Sequence, residues 1–217
     1  MKIEEVSLFT NSIQEQKQFY KNVLEFELIL DSTEKISFKT GESILSFQYK
    51  ETFKSSHLAF NIPSNKETEA LFWLQKRVEI LPYNNKFISD FKSWNAKAIY
   101  FYDADKNIME FIARKNMNTA TDSEFSSTSI LSISEMAIAT DNIEYIFNTI
   151  NGMKSISIYD GNFRRFCAIG NEDGLFILID KNKKKWYPTM ETAFTSDFII
   201  KGDYNFAFKN GKIKEIS

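Results

Sequence analysis

One cysteine and one histidine in 217 residues exclude more chemistry than any other feature of the composition. Cys167 has no internal partner, so a disulfide framework and a cysteine-based zinc cluster are both ruled out. A Ser-His-Asp or Cys-His site would have to use His57, and a three-histidine metal site is impossible. Only seven glycines are present, and they form neither GxGxxG nor the GxxxxGKS or GxxxxGKT loop, so both standard nucleotide cradles are missing. No apolar run approaches the roughly 20 residues that span a bilayer. The net charge of -2 supplies no basic field for nucleic acid or an anionic membrane. The opening MKIEEVSLFT alternates at once as a strand does, without the basic-then-apolar order of a signal peptide. A cytoplasmic protein with no nucleic-acid or membrane partner is the expectation.

What is there is ordinary globular composition, 43% hydrophobic and rich in aromatics at 15%, in a chain long enough to bury a core. Ile3 to Phe9 alternates, placing Val6 and Leu8 on one face and Glu5 and Ser7 on the other. A short helical stripe follows through Tyr20 and Leu24, then three strand-like runs to Tyr49. The pattern restarts at His57-Leu58-Ala59-Phe60-Asn61-Ile62. Ser64 caps a helix from Glu67 to Arg77, and strong strands lie at 96–102 and 108–114; the less regular stretch before them has room for one more near 87–91. A third copy starts at Ile133, with a helix capped by Asp141 or Asn142 and strands near 155–159, 163–169 and 175–180. The tail holds a strand at 195–201 and a hairpin around Asn210-Gly211.

The β-α-β-β-β unit therefore occurs at least three times. Glu5 and His57, 52 residues apart, and Glu135 occupy one equivalent position in the first strand of each copy. One unit leaves a bare sheet face, so units must pair, and a pair encloses a cleft. The fold class expected is α+β: paired βαβββ units forming a cupped mixed sheet, with an additional C-terminal βαβββ-like half-module. Residues 1–115 are read as one domain, the Ser/Thr/Asn/Asp-rich 116–129 as a linker, and 130–217 as a degenerate second module with a C-terminal hairpin. That module either covers the first domain or makes a homodimer.

The segments QFYKNVLEFEL, HLAFNIPS and IYFYDADKNIMEFIAR resemble the vicinal oxygen chelate superfamily, the group of glyoxalases, bleomycin-resistance proteins and extradiol dioxygenases. The third segment is the most specific, with an aromatic strand, an Asp-x-Asp-x-Asn turn and a glutamate in an apolar strand. The resemblance implies a divalent metal held by the first strand of each paired unit and the last strand of the second, here Glu5, His57 and Glu110. Strand parity agrees, because these three lie on the less apolar faces. One nitrogen and two carboxylates suit Mn, Fe, Zn or Ni rather than a soft metal. Glyoxalase I is ruled against, since strand 43–49 offers only Ser46 or Gln48 where it needs a further carboxylate. Ring cleavage in its usual form lacks the second histidine.

The resemblance supports a metal-dependent lyase, isomerase or dioxygenase acting on a small oxygen-bearing molecule. In that reading Tyr100 and Glu5 do the catalytic work, while Asn61 and Tyr102 line the pocket. The alternative is a metal-free binding module of the bleomycin-resistance type. Cys167 reads as an inert buried thiol and the three tryptophans as core. Arg164-Arg165 and the Lys181–Lys185 run read as solvated turns, with an anion contact at the arginines the minor reading.

Overall fold

The computed structural model describes residues 1–216. The first unit runs β1 (Ile3–Thr10), α1 (Ile13–Gln18, continued by a π turn over Phe19–Val23), β2 (Glu27–Asp31), β3 (Lys35–Thr40) and β4 (Ser43–Tyr49). The second runs β5 (His57–Ile62), α2 (Glu67–Gln75), β6 (Ser89–Phe91), β7 (Ala96–Tyr102) and β8 (Ile108–Arg114). The third runs β9 (Ser132–Thr140), α3 (Ile143–Met153), β10 (Ile158–Asn162), β11 (Phe166–Asn171) and β12 (Gly174–Asp180). The tail adds β13 (Phe198–Gly202) and the hairpin β14 (Phe206–Lys209) and β15 (Lys212–Glu215). Among the described residues no helix is long and apolar enough to cross a membrane.

Two curved mixed sheets result. One orders β10-β11-β12-β9-β5-β8-β7-β6, and the other β15-β14-β13-β1-β4-β3-β2. Each unit contributes its strands in the same sense, its first strand running parallel to its last, as β5 does to β8 and β9 to β12. The first strands β5 and β9 then meet antiparallel at the centre of one sheet, and β1 meets the tail strand β13 antiparallel in the other. The paired-unit fold is as expected, but the partners are not. The division at 1–115 pairs the first unit with the second. Hydrogen bonding instead pairs the second with the third, and the first with the tail strands.

The segment between β8 and β9 is correspondingly not a free tether. Phe125 is buried against Trp73 of α2, with ring centroids 5.8 Å apart, and its N–H donates to Glu69 Oε2 at 3.1 Å. This docking lets β9 return directly beside β5. At the other side, Gly41 has φ +66°, and a Cβ there would lie 2.1 Å from the Leu131 carbonyl oxygen, so the turn into β4 can pack on the approach to β9 only as glycine. Ser43 Oγ fastens the same corner, donating to the Ile3 carbonyl at 2.6 Å and accepting from the Ile133 N–H at 3.0 Å.

The apolar faces of both sheets share one core. Phe60 of β5 packs on Phe26 at 5.7 Å, and Phe176 of β12 on Phe206 of β14 at 5.5 Å. The opposite, cupped face of the eight-stranded sheet is floored by small residues, Ala59, Ala98, Ala137, Ala139 and Ala168, which leave room above the strands. The expected cap at Ser64 is displaced to Lys66, whereas Asn142 caps α3 by accepting from the Tyr145 N–H at 3.0 Å.

Candidate metal centre

The strand pairing sets one row across the cupped sheet. Glu110 of β8 and Glu135 of β9 both stand opposite Ala59 of β5, and His57 lies two residues earlier on the same face of β5. The single methyl of Ala59 lets both carboxylates lean toward the imidazole. His57 Nε2 lies 3.4 Å from Glu110 Oε2 and 3.8 Å from Glu135 Oε2, and one ligand atom from each residue falls within 4.8 Å of the others. All three are buried, with residue exposures of 5%, 2% and 3% for His57, Glu110 and Glu135.

The donor set fits a divalent cation. The Ile108 carbonyl can only accept, so His57 Nδ1, 2.9 Å away, must carry the proton and donate it. In the neutral ring this leaves the Nε2 lone pair facing the two carboxylates, the arrangement of a metal-ligating histidine. Metal–ligand bonds of about 2.0–2.2 Å separate neighbouring ligand atoms by roughly 3 to 4 Å, which the His57 distances match. No thiolate is present to favour a soft ion.

Charge points the same way. Burial, then the Glu135 charge, pushes the Glu110 carboxyl up to about 8. Burial also works against ionised Glu135, but His57 and Arg114 outweigh it and hold that carboxyl below its ordinary value. For His57 burial pulls the pKa down, yet the nearby Glu135 and Glu110 carboxylates leave it raised. Without a metal ion, Arg114 offsets one of the two buried carboxylates and a proton held by His57 or Glu110 offsets the other.

Arg114, from the end of β8, is the neighbour that sequence reading missed. It is 1% exposed, its guanidinium bonds Glu135 Oε1, and its Cζ lies 5.4 Å from the Trp94 ring centre. It leaves Glu135 Oε2 facing His57. Nothing in its position at the end of an apolar strand marked it as internal, and only the pairing with β9 brings it there.

Glu5 does not join this group. It belongs to the seven-stranded sheet, where it accepts from Ser46 Oγ at 2.9 Å and pairs with Lys35 at 3.0 Å and Lys201 at 3.5 Å. Glu135 stands in this group instead, a residue that the repeat aligns with Glu5 but that the sequence reading left in the degenerate second module, outside the ligand set. Tyr100 does reach the pocket, opposite Glu110 on β7 and 6.2 Å, ring to ring, from His57. Burial and the two glutamate charges hold its phenol far above the ordinary value, so it remains a donor. Tyr102 and Asn61 do not line the pocket. Tyr102 donates to Glu191 Oε1 at 2.7 Å, and Asn61, at the far end of β5, is fully buried and donates to Ser132 Oγ and the Glu172 carbonyl.

Above the floor opens a cavity of about 380 Å³. The chain after β12 forms one wall. Trp186, read as core, lies 5.6 Å from the His57 ring, and Tyr187 packs 5.3 Å from Tyr100 and shares a 2.6 Å hydrogen bond with Ser89. Trp94 and Phe166 form another wall.

The glyoxalase-like domain model matches residues 3–115, just over half of the chain. The chain belongs to the glyoxalase-like family. It is thereby a member of the vicinal oxygen chelate superfamily. The match covers the first two units of this glyoxalase-like chain, whereas His57, Glu110 and Glu135 come from the second and third. A candidate dioxygenase from Bacillus subtilis is similar in fold, with TM-score 0.61 and 15% identity over 82% of this chain and 63% of that one. This chain thus spans less than two thirds of that protein's length. Shorter matches include an integron cassette protein from the Halifax Harbour sewage outfall metagenome, with TM-score 0.44 and 23% identity over 51% of this chain and 97% of that one. Another is a point mutant of a fosfomycin resistance protein, FosX, from Listeria monocytogenes in complex with Mn(II) and a dihydroxypropylphosphonic acid. It has TM-score 0.40 and 21% identity over 51% of this chain and 87% of that one. No protein of curated function matches.

Proposed function

We propose that this protein is a divalent-metal-dependent enzyme acting on a small oxygen-bearing molecule, with His57, Glu110 and Glu135 holding the metal. One observation carries the reading. An imidazole nitrogen and two buried carboxylates converge on the floor of an open, aromatic-walled cavity. Glu135 replaces Glu5 in the ligand set and Tyr100 keeps a catalytic role. A divalent ion supplies, when bound, Lewis-acid polarisation of substrate oxygens. Tyr100 is placed beside the ligand atoms as a hydrogen-bond donor to a substrate oxygen. The Trp186 and Tyr187 rings keep water from the floor and offer a flat surface to the substrate. The donor set accommodates Mn, Fe, Zn or Ni.

A second reading has its own observation. His57 and Arg114 bring two positive charges to two carboxylates, so a metal-free binding module of the bleomycin-resistance type is electrostatically closed as well. Metal content separates the two. Protein purified without chelator or metal-affinity column should carry close to one divalent ion per chain by elemental analysis. His57→Ala should lose it, and Glu135→Gln should weaken binding by more than the roughly 10–100-fold that follows loss of an outer partner. Glu5→Gln and Cys167→Ala should leave it unchanged. Equal metal in wild type and His57→Ala, or none in either after incubation with Mn, Fe, Zn and Ni salts, overturns the enzyme reading.

A further inference from the structure

The rim of the same cavity carries charge that its floor does not explain. Arg165 precedes β11, and Lys184 and Lys185 follow β12; all three line the opening. None of them has an ion-pair partner among the described residues. Lys184 is half-buried, its ammonium 3.9 Å above the centre of the Phe166 ring. Burial, then the neighbouring Arg165 charge, lowers its pKa. The one carboxylate on this rim, Asp160, accepts the Trp94 indole N–H at 2.7 Å, and its charge offsets only part of the lowering at Lys184. Arg165 and Lys185 are exposed and Lys184 half-buried, so three cations face a single carboxylate at the opening, and a bound anion would balance the excess. Between rim and floor lie Ile177 and Ile179, with the Trp94 and Phe166 rings, 6.3 Å apart, on the adjoining wall. The pocket thus has a ligand-atom end, an apolar middle and a cationic end.

We propose that Arg165 and Lys184 form an anion seat, so that the pocket takes a flat aromatic or conjugated molecule carrying a carboxylate or phosphoryl group. The anion lies at the rim and the opposite end of the molecule reaches the His57 floor. This deepens the proposed function by naming its substrate class, and it rests on that reading for the cavity but not for the metal. A guanidinium and an ammonium on one side of an oxyanion give charge-assisted hydrogen bonds that a neutral amide cannot replace.

Calorimetric titration with cinnamate, its neutral amide cinnamamide, and phenyl phosphate tests the seat at low salt. The protein is used both as purified and after dialysis against EDTA. At least one of the two anions should bind about tenfold or more tightly than the amide, and whichever does identifies carboxylate or phosphoryl as the group seated. The preference should survive chelation, and it should vanish in Arg165→Gln/Lys184→Met, which keeps the stem of residue 184 against Phe166. Anions no tighter than the amide, or no binding of any probe, overturn the seat. A preference lost on chelation, or unchanged in the double variant, also overturns it by placing the anion elsewhere. None of these outcomes alters the metal content measured by elemental analysis, so the two proposals fail separately.

Discussion

Arg114 decides the charge balance of the floor. A guanidinium with 1% exposure, bonded to a buried carboxylate, is costly to separate from it. Arg114→Met should destabilise the protein by about 3–5 kcal/mol in urea unfolding, because Glu135 loses its permanent cation. Arg114→Met/Glu135→Gln should be less destabilised than the sum of the two single changes. Strict additivity would mean that the pair does not interact. Cys167 belongs to the same scale. It is fully buried, and burial, helped by Asp160, lifts its thiol to about 11. Folded protein should therefore leave Cys167 unmodified by a thiol reagent at pH 8, and rapid labelling would contradict its placement. Residue identity was the most legible level in the sequence. His57 and Glu110 were named by parity and by resemblance, whereas Glu135 was aligned with Glu5 by the repeat but left out of the ligand set. Parity gives the face but not the depth along it, which is why Asn61, on the correct face of β5, ends beneath the Glu172 carbonyl rather than in the cavity.

At the scale of elements, the Asp-x-Asp-x-Asn turn between β7 and β8 has a structural task. Asp103 accepts from the Asp105 and Asn107 N–H groups, from Asn107 Nδ2, and from Gln16 Nε2 and Tyr20 OH of the first unit. It thereby ties the two sheets together at α1. Burial raises its carboxyl to about 6, against an ordinary value near 4. Below about pH 4 both the folded and the unfolded forms are protonated, and the contribution of Asp103 is at its fullest. As pH rises toward 6 the folded form binds more protons than the unfolded one, so stability is lost. Relative to Asp103→Asn, wild type should lose up to about 1.4 kcal/mol per pH unit across that window. A difference that stays flat, or rises with pH, would show that the five donors outweigh burial. Elements with clear alternation or turn chemistry were legible, including the Asn210-Gly211 hairpin and the short strand before Trp94. The Ser64 cap was not: α2 starts behind Lys66, and the Ser64 N–H donates to Thr119 Oγ1 at 3.2 Å, from a segment far along the chain.

On the scale of the whole molecule, two cups are built on one plan, and they differ in charge. In the eight-stranded sheet, first strands and a last strand present His57, Glu135 and Glu110. In the seven-stranded sheet the corresponding strands present Glu5, Ser46 and Lys201, with Lys35 completing an ion-paired cluster. The ammonium groups there neutralise the carboxylate that a metal would otherwise need to neutralise. The repeat was legible in sequence, but the choice of partner was not. Any two β-α-β-β-β units offer the same edge to one another, and proximity along the chain favoured the first with the second. Docking of 116–131 along α2 and against Gly41 decides otherwise. The central claim is that the functional cup joins the second unit to the third. Anomalous difference density from crystals grown with Mn(II) tests it most directly. The account predicts one peak bonded to His57 Nε2, Glu110 and Glu135, and none at Glu5. A peak at Glu5, or no peak between the three ligands at full Mn(II) loading, would contradict it.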